Sequence, residues 1–175
     1  TLQLAALALL LGMLIAFPLG IISAMYPNSP IDFVASIVSQ VGVAIPDFWL
    51  SILLVLLFSS TLGWLPPSGY TPIDESFIDW LDHMILPAMT AGLISASIQT
   101  RFIRSAMLEV LGENYIRTAR AKGLNLFTVI SRHALRNALI TIVTILGLQV
   151  TALLSAVVVI EIVFNLPGLG RLALD

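Results

Sequence analysis

The sequence predicts an all-α, polytopic membrane bundle, and three observations carry that reading. Of 175 residues, 58% are apolar and only 10% charged. An ordinary soluble domain carries about a quarter charged residues, so a water-facing surface could hardly be assembled here. Mean hydropathy is +1.02. Three runs carry no charge at all: Leu2–Met25 (24 residues), Phe48–Ile73 (26) and Asn137–Ile160 (24). Each exceeds the roughly 20 residues needed to cross a hydrocarbon core about 30 Å thick. A porin-type barrel is excluded, because its strands would alternate over about 10 residues. With no cysteine, disulfides, thiolate metal sites and cysteine nucleophiles are excluded too. His83 and His133 lie in segments of different character and make a poor case for a metal site.

Four spanning units follow in order. The first is Leu2–Met25, closed by the turn Tyr26-Pro27-Asn28-Ser29-Pro30. It lacks a basic leader and is too long for the apolar core of a signal peptide. Because the chain opens on Thr1 and runs straight into apolar sequence, it reads as a fragment of a longer protein. The second unit is Phe33–Thr61, interrupted by Pro46. Pro66-Pro67, Ser68-Gly69 and four carboxylates (Asp74, Glu75, Asp79, Asp82) make residues 62–83 a polar loop. The third runs from Met84 to about Phe102, its helix continuing past Arg104. The fourth spans Asn137 to about Val163, before a short tail, Asn165-Leu166-Pro167-Gly168-Leu169-Gly170-Arg171.

Charge fixes the orientation. Seven of the eight basic residues lie between positions 101 and 136, and residues 62–83 have none. Lys and Arg are retained on the cytoplasmic side, so the segment 105–136 is expected inside and the loop 62–83 outside. Parity then puts Thr1 and the C-terminal tail outside and Tyr26–Asp32 inside.

Small residues recur every four positions in three spans: Ala8, Gly12, Ala16 and Gly20; Ala88, Gly92, Ala96 and Thr100; Gly147, Thr151 and Ser155. Residues four apart share a helix face, and small side chains let two backbones approach closely. These stripes predict a tightly packed bundle or a subunit interface.

Polar residues within the spans are the candidates for a translocation pathway. Asp47 follows Pro46 roughly 20 Å into the second span, near the midplane, where it could cap a half-helix starting at Phe48. Broken helices often line transporter sites, although a proline kink with a paired carboxylate would look the same. Glu161 ends the last apolar run, either lining the pathway or reaching interfacial water. Gln149 is a further candidate, with Gln40 and Gln99 beside it, and each could equally be satisfied by an interhelical hydrogen bond.

The basic segment carries an elbow. Tyr115, Ile116, Arg117, Thr118, Ala119, Arg120, Ala121 and Lys122 read as a short helix with Asn114 as its cap. Gly123 suits the left-handed position that ends a helix. Arg117, Arg120 and Lys122 complement the C-terminal end of the dipole. Tyr115, Ile116 and Ala119 form an apolar side. A second helix, about Leu126–Arg136, leads into the fourth span. Composition alone leaves two readings of the elbow open, contact with anionic lipid or docking to a protein.

Tyr115 through Leu124, followed by Arg132-His133-Ala134-Leu135-Arg136-Asn137-Ala138-Leu139, resembles the cytoplasmic loop of binding-protein-dependent ABC importer permeases. The family pattern is Glu-Ala-Ala, three residues, Gly, then nine residues before Ile-x-Leu-Pro. Ala119, Gly123 and Leu135 keep it, while Arg117, Thr118, His133 and Arg136 replace Glu, Ala, Ile and Pro. Those departures, with Ile45-Pro46-x-Phe48-Trp49, Gly63-Trp64-Leu65-Pro66-Pro67-Ser68-Gly69-Tyr70 and the Val157-to-Arg171 stretch, resemble the first permease subunit of the dipeptide/oligopeptide/nickel group.

The resemblance implies a six-helix subunit of the bacterial plasma (inner) membrane, with one helix before Thr1 and one after Asp175. It implies a second permease subunit, two cytoplasmic ATPases and an external solute-binding protein docking near residues 62–83 and 165–175. Tyr115–Leu124 would be the coupling helix seated on an ATPase. ATP and magnesium would belong to those ATPases, with no cofactor, metal or nucleic acid on this chain. Consistent with that, the sequence holds no Gly-x-x-x-x-Gly-Lys-[Ser/Thr] loop, and Lys122 is its only lysine. The expected cargo is a peptide, with nickel or glutathione as alternatives. An ATPase-independent transporter, a channel or an intramembrane enzyme finds little support in the few intramembrane carboxylates.

Overall fold

The computed structural model describes residues 1–172, and the regular structure among them is entirely helical. Three helices are long and apolar enough to cross a membrane: α1 (Leu2–Met25), α4 (Phe77–Leu111) and α6 (Leu126–Val163). Between α1 and α4 lies a bent pair, α2 (Pro30–Ala44) and α3 (Asp47–Thr61), whose axes diverge by 103°. A short α5 (Asn114–Ala121) forms the elbow, and a single turn, α7 (Leu169–Leu172), follows α6.

The heart of the bundle is the contact of α1 with α4, and its cause is the first two small-residue stripes. Ala8, Gly12, Ala16 and Gly20 on one side, and Ala88, Gly92, Ala96 and Thr100 on the other, are all buried. A Cβ on Gly20 would lie 2.7 Å from Ile103 Cγ2 and 3.0 Å from the Thr100 carbonyl; one on Gly92 would lie 3.2 Å from the Ala8 carbonyl. The pairing rises together along both helices, so they run parallel. The third stripe does not pack within the chain. Gly147 faces open space, and Thr151 and Ser155 are exposed, because α6 meets its neighbours through another face.

The second spanning unit differs from a simple kinked helix. Pro46 denies α2 a continuing donor, Ile45 turns extended, and the chain restarts at Asp47 in a new direction. The contacts still progress steadily along α4. Asp32 meets Arg104, Gly42 is pressed against Ser97, Asp47 lies beside Ser95, and Leu54 joins the cluster of Trp80 and Met84. The pair therefore crosses from one end of the bundle to the other. Two 15-residue arms symmetric about the bend would rise about 28 Å together, close to a hydrocarbon core. The last turn and a half of α3, Val55–Thr61, widens to a π-helix.

Two expected boundaries shift. The helix of the third span starts at Phe77, where Ser76 accepts the Asp79 backbone N–H, so Asp79 and Asp82 sit on its first turns and not in a loop. Residues 126–163 form one helix with a wide π-turn over Val129–Ala134, so only residues 112–125 of the segment 105–136 lie between the long helices.

Asp32 and Arg104 were not singled out from sequence, yet they clasp three elements. Arg104 donates Nε to Oδ1 at 2.6 Å and Nη2 to Oδ2 at 2.8 Å. Ser23 of α1 donates to Oδ1 at 2.5 Å, and the backbone N–H of Asn28, held at φ +61, donates to Oδ2 at 2.9 Å. Asp32 thus joins the end of α1, the turn and α4 at the basic end of the bundle, and is itself buried.

Two predictions follow from this packing. Gly20→Val should lower the midpoint of thermal unfolding in detergent, at a cost of about 1–3 kcal/mol, whereas Gly147→Ala should leave it unchanged or higher. Arg104→Met, which strands the Asp32 carboxylate, should cost on the order of 3 kcal/mol, and adding Asp32→Asn should recover part of it. Additive losses in that double-mutant cycle would mean that the clasp contributes no coupling.

Candidate functional site

Three places bring the predicted residues into a defined geometry. The first is the elbow. α5 is capped by Glu113, not by Asn114, and without a side-chain bond, so its start is held by the chain's approach from α4. Its end is a full Schellman turn. Gly123 stands at φ +81, its N–H donates to the Arg120 carbonyl at 2.9 Å, and the Leu124 N–H donates to the Ala119 carbonyl at 3.4 Å. A side chain in that conformation would cost about 1–2 kcal/mol.

The apolar side of α5 is consumed by the chain itself. Ile116 and Ala119 are buried against Met107, Val129, Ile130 and Ala134, and the Tyr115 hydroxyl accepts a hydrogen bond from Asn137 Nδ2 at 2.7 Å. What the elbow presents outward is Tyr115, whose ring stays exposed, with Arg117, Thr118, Arg120, Ala121, Lys122, Gly123 and Leu124, and Phe127, 79% exposed, just beyond. The exposed face is a basic surface with an apolar tip, set on a seated helix.

The second place is the helix break. Asp47 is the first residue of α3, with Pro46 in the cap position, and its carboxylate meets no backbone donor of the helix beyond its own N–H. It lines a cavity of about 80 Å³ together with Ser95 of α4 and Gln149 of α6. Two of the three pathway candidates are thus brought together, and Ser95 is one that the sequence reading missed. The cavity sits between two apolar clusters. One gathers Leu4, Trp80, Met84, Leu153 and Val157 towards the acidic loop, and the other gathers Ala16, Ile103, Met107, Ile142 and Leu146 towards the elbow. Gln99 is buried beside this layer and donates Nε2 to Ser95 Oγ at 2.7 Å. Gln40 is exposed on α2.

Glu161 lies apart, three turns further along α6 than Gln149. It is 1% exposed and does not reach interfacial water. Its Oε2 accepts the Gly170 backbone N–H at 3.0 Å, Oε1 accepts the Thr1 hydroxyl at 2.5 Å, and its carbonyl accepts the Leu166 N–H at 2.9 Å. A Cβ on Gly168 would collide with the carboxyl group, which explains the Pro167-Gly168 pair. The Gly69 N–H, in turn, donates to the Phe164 carbonyl at 3.0 Å. Glu161 thus holds the turn after α6 in place, and the 62–83 loop is pinned beside it. Glu161→Ala should accelerate amide hydrogen exchange across residues 166–172 at least tenfold while leaving α4 unaffected; unchanged exchange at Gly170 would contradict this role.

Comparison with known proteins identifies the family and the fold. Residues 16–175 match the family model described as binding-protein-dependent transport system inner membrane component. The chain is 41% identical over 177 residues to the oligopeptide transport system permease protein AppB of Bacillus subtilis, covering 100% of this chain and 56% of that one. It is 41% identical over 195 residues to the di/tripeptide transport system permease protein DppB of Pseudomonas aeruginosa, covering 100% and 58%. Over 175 residues it is 42% identical to the glutathione transport system permease protein GsiC of Salmonella choleraesuis, covering 100% and 55%. The chain therefore spans little more than half the length of these relatives. Among solved structures, the crystal structure of an amino acid ABC transporter with histidines superposes with a TM-score of 0.68 at 19% identity, covering 98% of this chain and 72% of that one. That likeness establishes the fold.

Proposed function

Because the chain belongs to the family of binding-protein-dependent transport system inner membrane components, we propose that it is the permease core of an ATP-driven importer of di- or oligopeptides in the bacterial plasma membrane. The observation that carries the mechanism is the seated elbow. A short helix whose apolar side is locked into the bundle cannot swing free, so a push on its outer face is delivered to α4 and α6 together. In this reading the elbow lies in the cytoplasm and an ATPase subunit docks on Arg117, Thr118, Ala121, Lys122 and Leu124. ATP and magnesium are held by two such ATPases, a second permease subunit completes the pathway, and an external binding protein delivers the cargo near residues 62–83 and 165–175.

Peptide cargo is supported by the names of the oligopeptide and di/tripeptide permeases at 41% identity. Glutathione is a second reading, favoured by the permease at 42%; as a γ-linked tripeptide it shares a free amino group and carboxylates with ordinary peptides.

ATP hydrolysis by the full-length complex in nanodiscs, with and without a peptide-loaded binding protein, tests the proposal. Loaded binding protein should stimulate hydrolysis. Gly123→Asp, Arg117→Glu and Leu124→Asp should each cut that stimulation at least tenfold while the chain still inserts and assembles. Stimulation retained in all three would refute docking at the elbow, and stimulation by a nickel-loaded protein but not a peptide-loaded one would change the cargo.

A further inference from the structure

We propose that the cavity at the break between α2 and α3 binds a protonated primary amine, the α-amino group of a peptide in transit. The peptide half of this inference rests on the functional reading above; the amine half rests on the cavity alone.

The hydrogen-bond inventory is one-sided. Asp47 carries a carboxylate, which only accepts, and among the described residues no cationic side chain pairs with it. Gln149 Oε1 is buried with no hydrogen-bond partner. Ser95 Oγ already accepts from Gln99 Nε2, which leaves it one proton to donate and one further lone pair. The cavity therefore holds the Asp47 carboxylate and an unused carbonyl oxygen from two different elements, and the hydrogens set against them, those of the Ser95 hydroxyl and the Gln149 amide, bring no positive charge. Such a site calls for a group that brings positive charge and several N–H donors at once. A primary ammonium brings three donors and one charge in a compact head.

Size and wall chemistry agree. The volume of about 80 Å³ matches two or three water molecules at roughly 30 Å³ each, or one ammonium head with the carbon that bears it. The remaining walls are alanine, leucine and isoleucine side chains, including Ala91, Ile94 and Ala152. They suit the methylene or methyl next to an amine and offer nothing to a carboxylate terminus, which Asp47 would repel. The cavity also has a way in. Asp47 is only half-buried, and Ala152 is exposed on α6 beside the unpacked Thr151 and Ser155.

Zero-length coupling in the assembled full-length complex, in nanodiscs, tests this on the unaltered protein. A water-soluble carbodiimide activates a carboxyl group, and an amine held beside it displaces the urea to form an amide that mass spectrometry locates. With n-propylamine as probe, amide formation at Asp47 should saturate with concentration and exceed that at the exposed Asp74 at least tenfold. Trialanine should couple at Asp47 in the same way through its amino terminus, and Gln149→Leu should raise the half-saturating concentration about tenfold for both probes. Yield at Asp47 that is absent, or that rises linearly with concentration no higher than at Asp74, overturns the amine site. Saturable coupling of n-propylamine without coupling of trialanine overturns its assignment to a peptide. A complex whose ATPase ignores every peptide-loaded binding protein would sink the importer reading while leaving the n-propylamine result standing.

Discussion

The close approach of α1 and α4 is the constraint on which the rest of the bundle depends. Helices in lipid gain little from burying one apolar side chain against another, so association rests on dense packing and a few polar contacts. Gly12, Gly20 and Gly92 let the two helices meet closely: a methyl group at Gly20 would collide with Ile103, and one at Gly12 or Gly92 would be tightly pressed. Once these helices are joined, α4 has two further faces to offer. One receives the bent pair through Ser97 and Arg104, and the other receives α6 along both apolar clusters. The Asp32 carboxylate then secures the end of this arrangement nearest the elbow. Its four hydrogen bonds let a charge stand at a position where an unpaired one would be costly.

The polar residues of the interior fall into two kinds. Asp32 and Glu161 are saturated: each carboxylate is bound by donors from more than one segment, and each fixes a turn at one end of the bundle. Asp47 and Gln149 are not, and they share a cavity between the two apolar clusters. The two buried carboxylates, Asp32 and Glu161, are the ones that the chain itself satisfies, and the half-buried Asp47 is not.

Much of this was legible in the chain. Runs without charge revealed the spans, four-residue spacing of small side chains revealed the α1–α4 seam, and Gly123 revealed the end of the elbow, because each is a local signal with one physical cause. The bend of 103° was not readable from Pro46, which breaks a helix without saying where the next one goes; that is decided by α4 and α6. Arg104 and Asp32 are 72 residues apart, and no local pattern pairs them, although Ser29 three residues before Asp32 marks a helix start. Glu161 looked interfacial because only three apolar residues follow it; the chain turns back over it at Pro167-Gly168, and a turn in space has no periodicity to read. The stripe at Gly147, Thr151 and Ser155 carried the same signal as the other two but meets no partner among the described residues.

The uninterrupted length of α4 has a mechanical consequence. Its 35 residues form one helix about 50 Å long from the acidic loop to the threshold of the elbow, with a backbone donor missing only at Pro87. The glycine seam fastens α1 along it and the Asp32 clasp fastens the start of α2. These parts form a single stiff chassis. Beyond the prolines inside α1 and α4, Pro18 and Pro87, compliance falls to the joint at Ile45-Pro46 and the two widened turns, Val55–Thr61 and Val129–Ala134, where backbone hydrogen bonding departs from the α-helical pattern. A load applied at the elbow is therefore concentrated at those joints, and one of them, Ile45-Pro46, immediately precedes Asp47, which lines the cavity.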